Sequence, residues 1–199
     1  MAHVCRFFSN FATNICILGM GKITIQDKTF EIMMTEEEIL SQIDKVAKRI
    51  NEDLKDKNPL FMPVLNGSFM FASDLMKRVN IPCELSFVKM SSYQGTKSTG
   101  KIKELMGIDE DLTGRTVVIV EDIVESGLTL KQMTETLAKH NPASVHICSL
   151  FVKPNCLKVP LNIDYGVMNI ADDFILGYGL DYNQQGRNYK DLYVLSSEE

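Results

Sequence analysis

Apolar residues recur along this chain at two spacings, which predict alternating helices and strands. Residues 36–53 carry apolar side chains at helical intervals, and Thr35 and Glu38 stand before and within them at capping-box spacing, so a helix is predicted there. A turn at 66–68 leads into a second predicted helix, and residues 129–140 are predicted to form a third. Short apolar runs predict strands at 60–65, 83–88, 116–120, 144–151, 173–178 and 192–195.

This alternation of strands and helices predicts the fold class. It is typical of an α/β domain with a mostly parallel central sheet and helices on both faces, and we expect one such domain over residues 20–199. Ligands of such folds bind beyond the carboxyl ends of the strands. The polar, glycine-rich segment 89–114 is long for a connection, which indicates a functional or a disordered loop. Residues 1–19 lack a signal-peptide cleavage site, so we interpret them as an extension outside the core fold.

Composition and charge narrow the function classes. The chain has 199 residues, of which 45% are hydrophobic and 24% charged, the balance of a globular protein. Its net charge of −5 argues against a nucleic-acid-binding surface. No apolar run reaches the roughly 18 residues of a membrane span, so no membrane partner is expected. The 5 cysteines contain no C-x-x-C pair, which argues against a disulfide framework or a zinc site and favours a reducing, cytoplasmic location.

One segment imitates the phosphate-binding loop of nucleotide triphosphatases. Residues 95–101 fit the pattern G-x-x-x-x-G-K, but Ile102 follows where that motif has Ser or Thr. The segment also follows polar residues instead of a strand, so the strand–loop–helix context of the motif is missing. We therefore interpret it as part of the polar connection.

The stretch VVIVEDIVESGLTL, residues 117–130, has the context that the imitation lacks. An apolar strand ends at Glu121 and Asp122, and the chain then turns into a helix, where several backbone N–H groups should converge on a phosphate. Gly127 permits close approach of the backbone, and the Ser126 and Thr129 hydroxyls can add donors. Two carboxylates beside a phosphate suit the hydroxyls of a sugar, directly or through Mg²⁺. The stretch predicts a ribose 5-phosphate site; the alternative is an acidic turn with an N-capping threonine.

These residues resemble the phosphoribosyl-diphosphate signature of type I phosphoribosyltransferases. The similarity covers about residues 22–195 and is closest to the hypoxanthine(-guanine) branch. It extends to four further segments: LNGSFMFASDL (65–75), SSYQGTKSTG (91–100), FVKP (151–154) and DDFILGYGLDYNQQGRN (172–188). The resemblance implies the fold of that family, with a small hood and a mobile active-site loop. It also implies a purine salvage enzyme that makes IMP, and also GMP, with pyrophosphate, from phosphoribosyl diphosphate and hypoxanthine or guanine, and that assembles as a homodimer or homotetramer.

The resemblance assigns roles to individual residues. Glu125 is the candidate base near purine N7, and Lys153 is the reader of the 6-oxo group, because an ammonium donates to a carbonyl oxygen but faces two N–H donors in adenine. Phe174 is expected to stack on the base, although a strand-period core position is the alternative. The remaining assignments are Glu121 and Asp122 for ribose hydroxyls, Glu125, Ser126, Gly127, Leu128 and Thr129 for the 5-phosphate, Asn66, Gly67 and Arg187 for pyrophosphate, Ser92 and Tyr93 for the mobile loop, Ile175 and Asp181 for the purine, and Glu121, Asp122 and Asp181 for Mg²⁺.

Two positions depart from the family pattern. Glu125 stands where the family usually has Asp, and Asn66 stands where it usually has Lys or Arg. An added methylene moves a carboxylate by roughly 1 Å or more, and such a displacement can cost about 10²-fold in rate. Three alternatives to the salvage enzyme follow: a non-catalytic sensor of phosphoribosyl diphosphate or nucleotide on the same fold, a xanthine-preferring transferase, and a structural domain without a ligand.

Overall fold

A mostly parallel sheet forms the centre of the protein, which is described here from a computed structural model. The structure describes residues 21–92, 102–106, 108 and 110–197. In chain order, the elements are β1 (Lys22–Ile25), β2 (Lys28–Met34), α1 (Glu36–Asp53), β3 (Leu60–Leu65), α2 (Phe69–Met76), β4 (Glu84–Leu85), β5 (Val88–Ser92), β6 (Ile102–Met106), β7 (Thr116–Val124), α3 (Leu128–Ala138), β8 (Ser144–Val152), β9 (Tyr165–Asn169), β10 (Ile175–Gly177) and β11 (Leu192–Leu195).

The central sheet has the strand order β6-β5-β3-β7-β8-β9, with β4 beside the start of β3. All of its pairs are parallel except β5 with β6. The side chains of Val117 to Val120 on β7 are buried, because helices cover both faces of the sheet and leave no solvated side. The predicted fold class is therefore confirmed.

The helices pack on opposite faces of this sheet. The apolar positions of α1, such as Ile39, Ile43 and Ile50, are buried with residues of α2 in one core, whereas Leu130, Met133 and Leu137 of α3 lie in a second core. The capping box at the start of α1 is present: the Thr35 N–H donates to the Glu38 carboxylate at 2.9 Å, and the Glu38 N–H donates to the Thr35 hydroxyl at 3.4 Å. None of the helices in the described part of the chain is long and apolar enough to cross a membrane.

A second, antiparallel sheet of order β1-β2-β11-β10 corresponds to the expected hood. It has a small core of its own, in which Phe30, Leu176 and Tyr193 are buried. The prediction placed the last strand correctly and missed β1, β2 and β9.

Several predicted boundaries were wrong. Strand β7 continues beyond residue 120 to Val124, so the two acids lie within the strand, because its backbone stays paired with β8 along this length. The predicted strand 83–88 is split into β4 and the start of β5, and the connection 89–114 contains the antiparallel pair of β5 and β6. The strand predicted at 173–178 spans only Ile175–Gly177. The extension 1–19 lies outside the described residues.

Candidate active site

Two partly buried carboxylates, Glu121 and Asp122, lie next to each other on β7 at the candidate site. Burial, with the neighbouring charge of Asp122, raises the pKa of Glu121 well above its ordinary value, and Glu121 Oε2 has no hydrogen-bond partner among the described residues. Burial also raises the pKa of Asp122 to about 6, although its carboxylate accepts the Ile123 N–H at 2.9 Å and Arg187 lies close enough to oppose the shift. Glu121 Oε2 therefore lacks the partner that usually stabilises a buried charge, whereas the contacts of Asp122 only partly offset its burial.

Two glycines allow close packing at this site: Gly67 lets the turn at 66–68 pack on Asp122, and Gly179 lets a second loop pack on Gly67. A Cβ atom at Gly67 would lie 1.5 Å from Asp122 Oδ2, and one at Gly179 would lie 2.0 Å from the Gly67 carbonyl oxygen. Gly179 also has φ +100°, a conformation that favours glycine. The peptide between Leu65 and Asn66 is cis. The backbone of the turn at 66–68 is thus in contact with the carboxylate.

Arg187 and Asp181 complete this side of the site. Arg187 Nη2 lies 2.5 Å from Asp181 Oδ1, and Arg187 Nη1 donates to the Gly179 carbonyl oxygen at 2.8 Å. Asp181 also accepts the Gln184 N–H at 2.7 Å. The structure therefore brings together Gly67, Asp122, Asp181 and Arg187. The resemblance assigned Gly67 and Arg187 to pyrophosphate, Asp122 to ribose and Mg²⁺, and Asp181 to the purine and Mg²⁺.

The turn after β7 leads into α3, as the sequence predicted, but the N-cap residue is a glycine and not a threonine. Gly127 is the N-cap residue with φ +73°, and the Leu128 N–H donates to Ser126 Oγ at 3.4 Å. A cavity of about 160 Å³ lies over this turn and is lined by Glu121, residues 123–127, Thr129 and Leu130. The first N–H groups of a helix have no backbone partner within it, so those that follow Leu128 remain available to an anion here.

Strand register brings Glu125 and Lys153 together, although they are 28 residues apart. Val124 is paired with Val152, and the Lys153 N–H donates to the Val124 carbonyl oxygen at 2.9 Å, so the next side chains stand side by side. Lys153 Nζ lies 2.6 Å from Glu125 Oε1 and 3.5 Å from Asp172 Oδ1. The Lys153 side chain is only 6% exposed. Its burial would lower the pKa of the ammonium, but the hydrogen bonds and charges of Glu125 and Asp172 outweigh burial and raise it.

Phe174 is an exposed aromatic ring that packs against other rings. It is 44% exposed, with its centroid 6.0 Å from that of Phe30 and 5.7 Å from that of Tyr182, which meets it edge-on. The alternative that Phe174 is a core residue is therefore wrong. Ile175 is buried in β10, where it is paired with Val194.

Some predicted site residues are not tested by these contacts. Tyr93 lies outside the described residues, and Ser92 is described only as the last residue of β5. In the described part of the chain, no three His, Cys, Asp or Glu side chains form a group that could hold a metal ion by themselves. Sequence reasoning missed the positions of Gly179 and Asp172, although both stand in the quoted segment 172–188, because their contacts depend on how separate loops meet.

Comparisons with known proteins agree with this geometry. The model of the phosphoribosyl transferase domain family matches residues 33–183. The hypoxanthine-guanine phosphoribosyltransferase of Streptococcus pyogenes serotype M3 is 37% identical over 169 residues, which cover 84% of this chain and 94% of that protein. The hypoxanthine phosphoribosyltransferase of Salmonella typhimurium is 39% identical over 163 residues, covering 80% and 92%. A crystal structure of a hypoxanthine phosphoribosyltransferase from Staphylococcus aureus has a TM-score of 0.79 at 35% identity and covers 83% of this chain and 91% of that one.

Proposed function

The chain belongs to the hypoxanthine(-guanine) branch of the phosphoribosyltransferase family, and from this premise we propose that it transfers phosphoribosyl from phosphoribosyl diphosphate to N9 of hypoxanthine, and also of guanine. The products are IMP or GMP and pyrophosphate. The relatives named above are transferases, and no observation favours the sensor, the xanthine-preferring enzyme or the ligand-free domain.

The observation that carries this proposal is the contact between Lys153 and Glu125. An ammonium donor and a carboxylate acceptor stand 2.6 Å apart. A 6-oxopurine presents O6 and N7 next to each other on one edge, so Lys153 can donate to O6 while Glu125 faces N7. Adenine has an amino group in place of O6, and its N–H groups would meet the ammonium. The pair is therefore suited to select oxopurines.

The remaining subsites follow from the elements around this pair. The turn 125–129 offers N–H groups to the 5-phosphate, and Glu121 and Asp122 suit the ribose hydroxyls because Glu121 Oε2 has no hydrogen-bond partner among the described residues and Asp122 is the adjacent acceptor. We propose that Phe174, which is exposed, stacks on the base, and that Arg187, with the backbone at Asn66 and Gly67, binds the pyrophosphate.

Mg²⁺ fits the acidic side of the site. The buried Glu121 Oε2 has no hydrogen-bond partner among the described residues, and Asp122 and Asp181 add hard oxygen ligands. Because Mg²⁺ is usually held by one or two carboxylates together with substrate oxygens, three clustered protein ligands are not needed. Bound there, it supplies charge that offsets the charge accumulating on the departing pyrophosphate.

The chain's own residues then perform three tasks. Lys153 and Phe174 orient the base, and Glu125 accepts the proton that the purine loses as N9 attacks C1′. The sugar develops oxocarbenium character as its bond to pyrophosphate breaks. Closure of the loop that contains Ser92 and Tyr93 would exclude water from this reactive sugar. We also propose a dimeric or tetrameric assembly, which the family branch supports, and a cytoplasmic location, which the free thiols of Cys83, Cys148 and Cys156 among the described residues support.

The proposal is tested by incubating the protein with phosphoribosyl diphosphate, Mg²⁺ and one purine at a time, and following nucleoside monophosphate by chromatography. We expect product from hypoxanthine and guanine and far less from adenine. Tight binding of phosphoribosyl diphosphate without turnover of any purine would contradict the proposal and favour the sensor.

A further inference from the structure

A second carboxylate, Asp172, lies beside the ammonium of Lys153 in addition to Glu125. Its Oδ1 lies 3.5 Å from Lys153 Nζ, and its side chain is 73% exposed. The Cys156 thiol, in the short turn Pro154–Cys156 that directly follows Lys153, and the Lys153 ammonium both lower the pKa of this carboxylate. Asp172 thus contacts the ammonium, although most of its surface faces water.

The donors of Lys153 divide among three directions. An ammonium has three N–H donors and no acceptor. Two of them face Glu125 and Asp172, which leaves the third for the 6-oxo group. When Glu125 turns to the proton near N7, its contact with Lys153 weakens, and Asp172 is then the carboxylate that still holds the ammonium. A flexible four-carbon stem needs such a contact to stay in one place.

We propose that Asp172 is a positioning residue that keeps Lys153 directed at the 6-oxo group and thereby sets the preference for oxopurines. The inference rests on the proposed function, because it assumes that Lys153 reads O6. Asp172 itself touches no reacting atom in this account. Its effect should appear only with ligands that carry the 6-oxo group.

The test compares two nucleotides that differ at that group. The dissociation constants of IMP and of purine riboside 5′-monophosphate, which lacks the 6-oxo group, are measured by titration calorimetry for the wild type, Asp172→Ala and Asp173→Ala. Asp173 is the matched control, since it is adjacent and exposed and makes no hydrogen bond or ion pair with the described residues. Because Asp172 is largely exposed, we expect its loss to weaken IMP binding by about two- to fivefold. Binding of purine riboside 5′-monophosphate should not change, and Asp173→Ala should behave as the wild type.

Other outcomes separate the two claims. Equal losses for both nucleotides, or IMP binding unchanged in Asp172→Ala, would overturn the role of Asp172 and leave the proposed function standing. A wild type that binds both nucleotides equally well would instead contradict the reading of O6 by Lys153. Asp172→Asn adds a check on the cause: if the negative charge matters, this variant should lose IMP affinity as Asp172→Ala does. Thermal unfolding of each variant confirms that the fold is intact.

Discussion

Replacing Gly67 by alanine should damage the site through a single steric contact. The added Cβ would lie 1.5 Å from Asp122 Oδ2 and 2.5 Å from its Cγ. Ordinary contacts of this kind begin near 3.4 Å, so the carboxylate or the turn at 66–68 must move by more than 1 Å. A misplacement of that size can cost about 10²-fold in rate. We therefore expect kcat/KM for hypoxanthine and phosphoribosyl diphosphate to fall by about 10²-fold.

The assay is steady-state formation of IMP at saturating Mg²⁺, with Gly166→Ala as the control. A Cβ at Gly166 would meet only Ile163 and Val152, at 3.6 and 3.9 Å, so this variant should keep its rate. A double-mutant cycle with Asp122→Ala identifies the clashing group: once the carboxylate is gone, Gly67→Ala should add little further loss. The reasoning is refuted if Gly67→Ala keeps kcat/KM within threefold of the wild type, or if its loss is undiminished in the Asp122→Ala background.

Three further predictions concern Glu125, Lys153 and Asp122. Glu125→Gln keeps the contact with Lys153 but cannot accept a proton, so its kcat should fall by about 10²-fold or more. Glu125→Asp keeps a carboxylate, so its kcat should stay within about tenfold of the wild type. A full rate for Glu125→Gln would contradict the role of Glu125 as base. Lys153→Ala should raise KM for hypoxanthine by about 10- to 100-fold, since hydrogen bonds to charged groups contribute about 1.5–3 kcal/mol, and an unchanged KM would show that O6 is read elsewhere. Burial raises the pKa of Asp122 to about 6 in the folded protein. Between about pH 4 and 6, Asp122 therefore binds more protons in the folded protein than in the unfolded chain, so the free energy of unfolding falls as the pH rises through this range. In EDTA, the free energy of unfolding of Asp122→Asn should therefore exceed that of the wild type by up to about 3 kcal/mol at pH 8, and this gain should vanish near pH 4. Urea unfolding measures both values, and an equal gain at about pH 8 and pH 4 would contradict the raised pKa of Asp122.

Elements decided by local pattern were predictable from the sequence. The helix α1 and the strands β3 and β11 lie where predicted, because capping residues and apolar periodicity fix them within a few residues. The continuation of β7 through Glu121 and Asp122 was not predictable, since polar residues there are kept in the strand by backbone pairing with β8. The strand β6 is likewise held by its pairing with β5, although its sequence, IKELM, has no strong strand pattern.

The same distinction applies to the candidate site. The signature at 117–130 predicts a ribose-phosphate site because strand, acids and glycine turn are contiguous in the chain. The pairing of Lys153 with Glu125 depends on the register of β7 and β8, and the position of Asp172 depends on the loop after β9. Gly179 is needed only because the Gly67 carbonyl oxygen approaches it from a distant loop. Such contacts become visible only when the elements are assembled.

A crystal structure of the protein with IMP tests the central claim most directly. We expect the 5′-phosphate on the N–H groups of residues 126–129, the ribose hydroxyls facing Glu121 and Asp122, and O6 within hydrogen-bond distance of Lys153 Nζ. An IMP molecule whose O6 accepts from another donor, with Lys153 still paired only to the two carboxylates, would contradict the account.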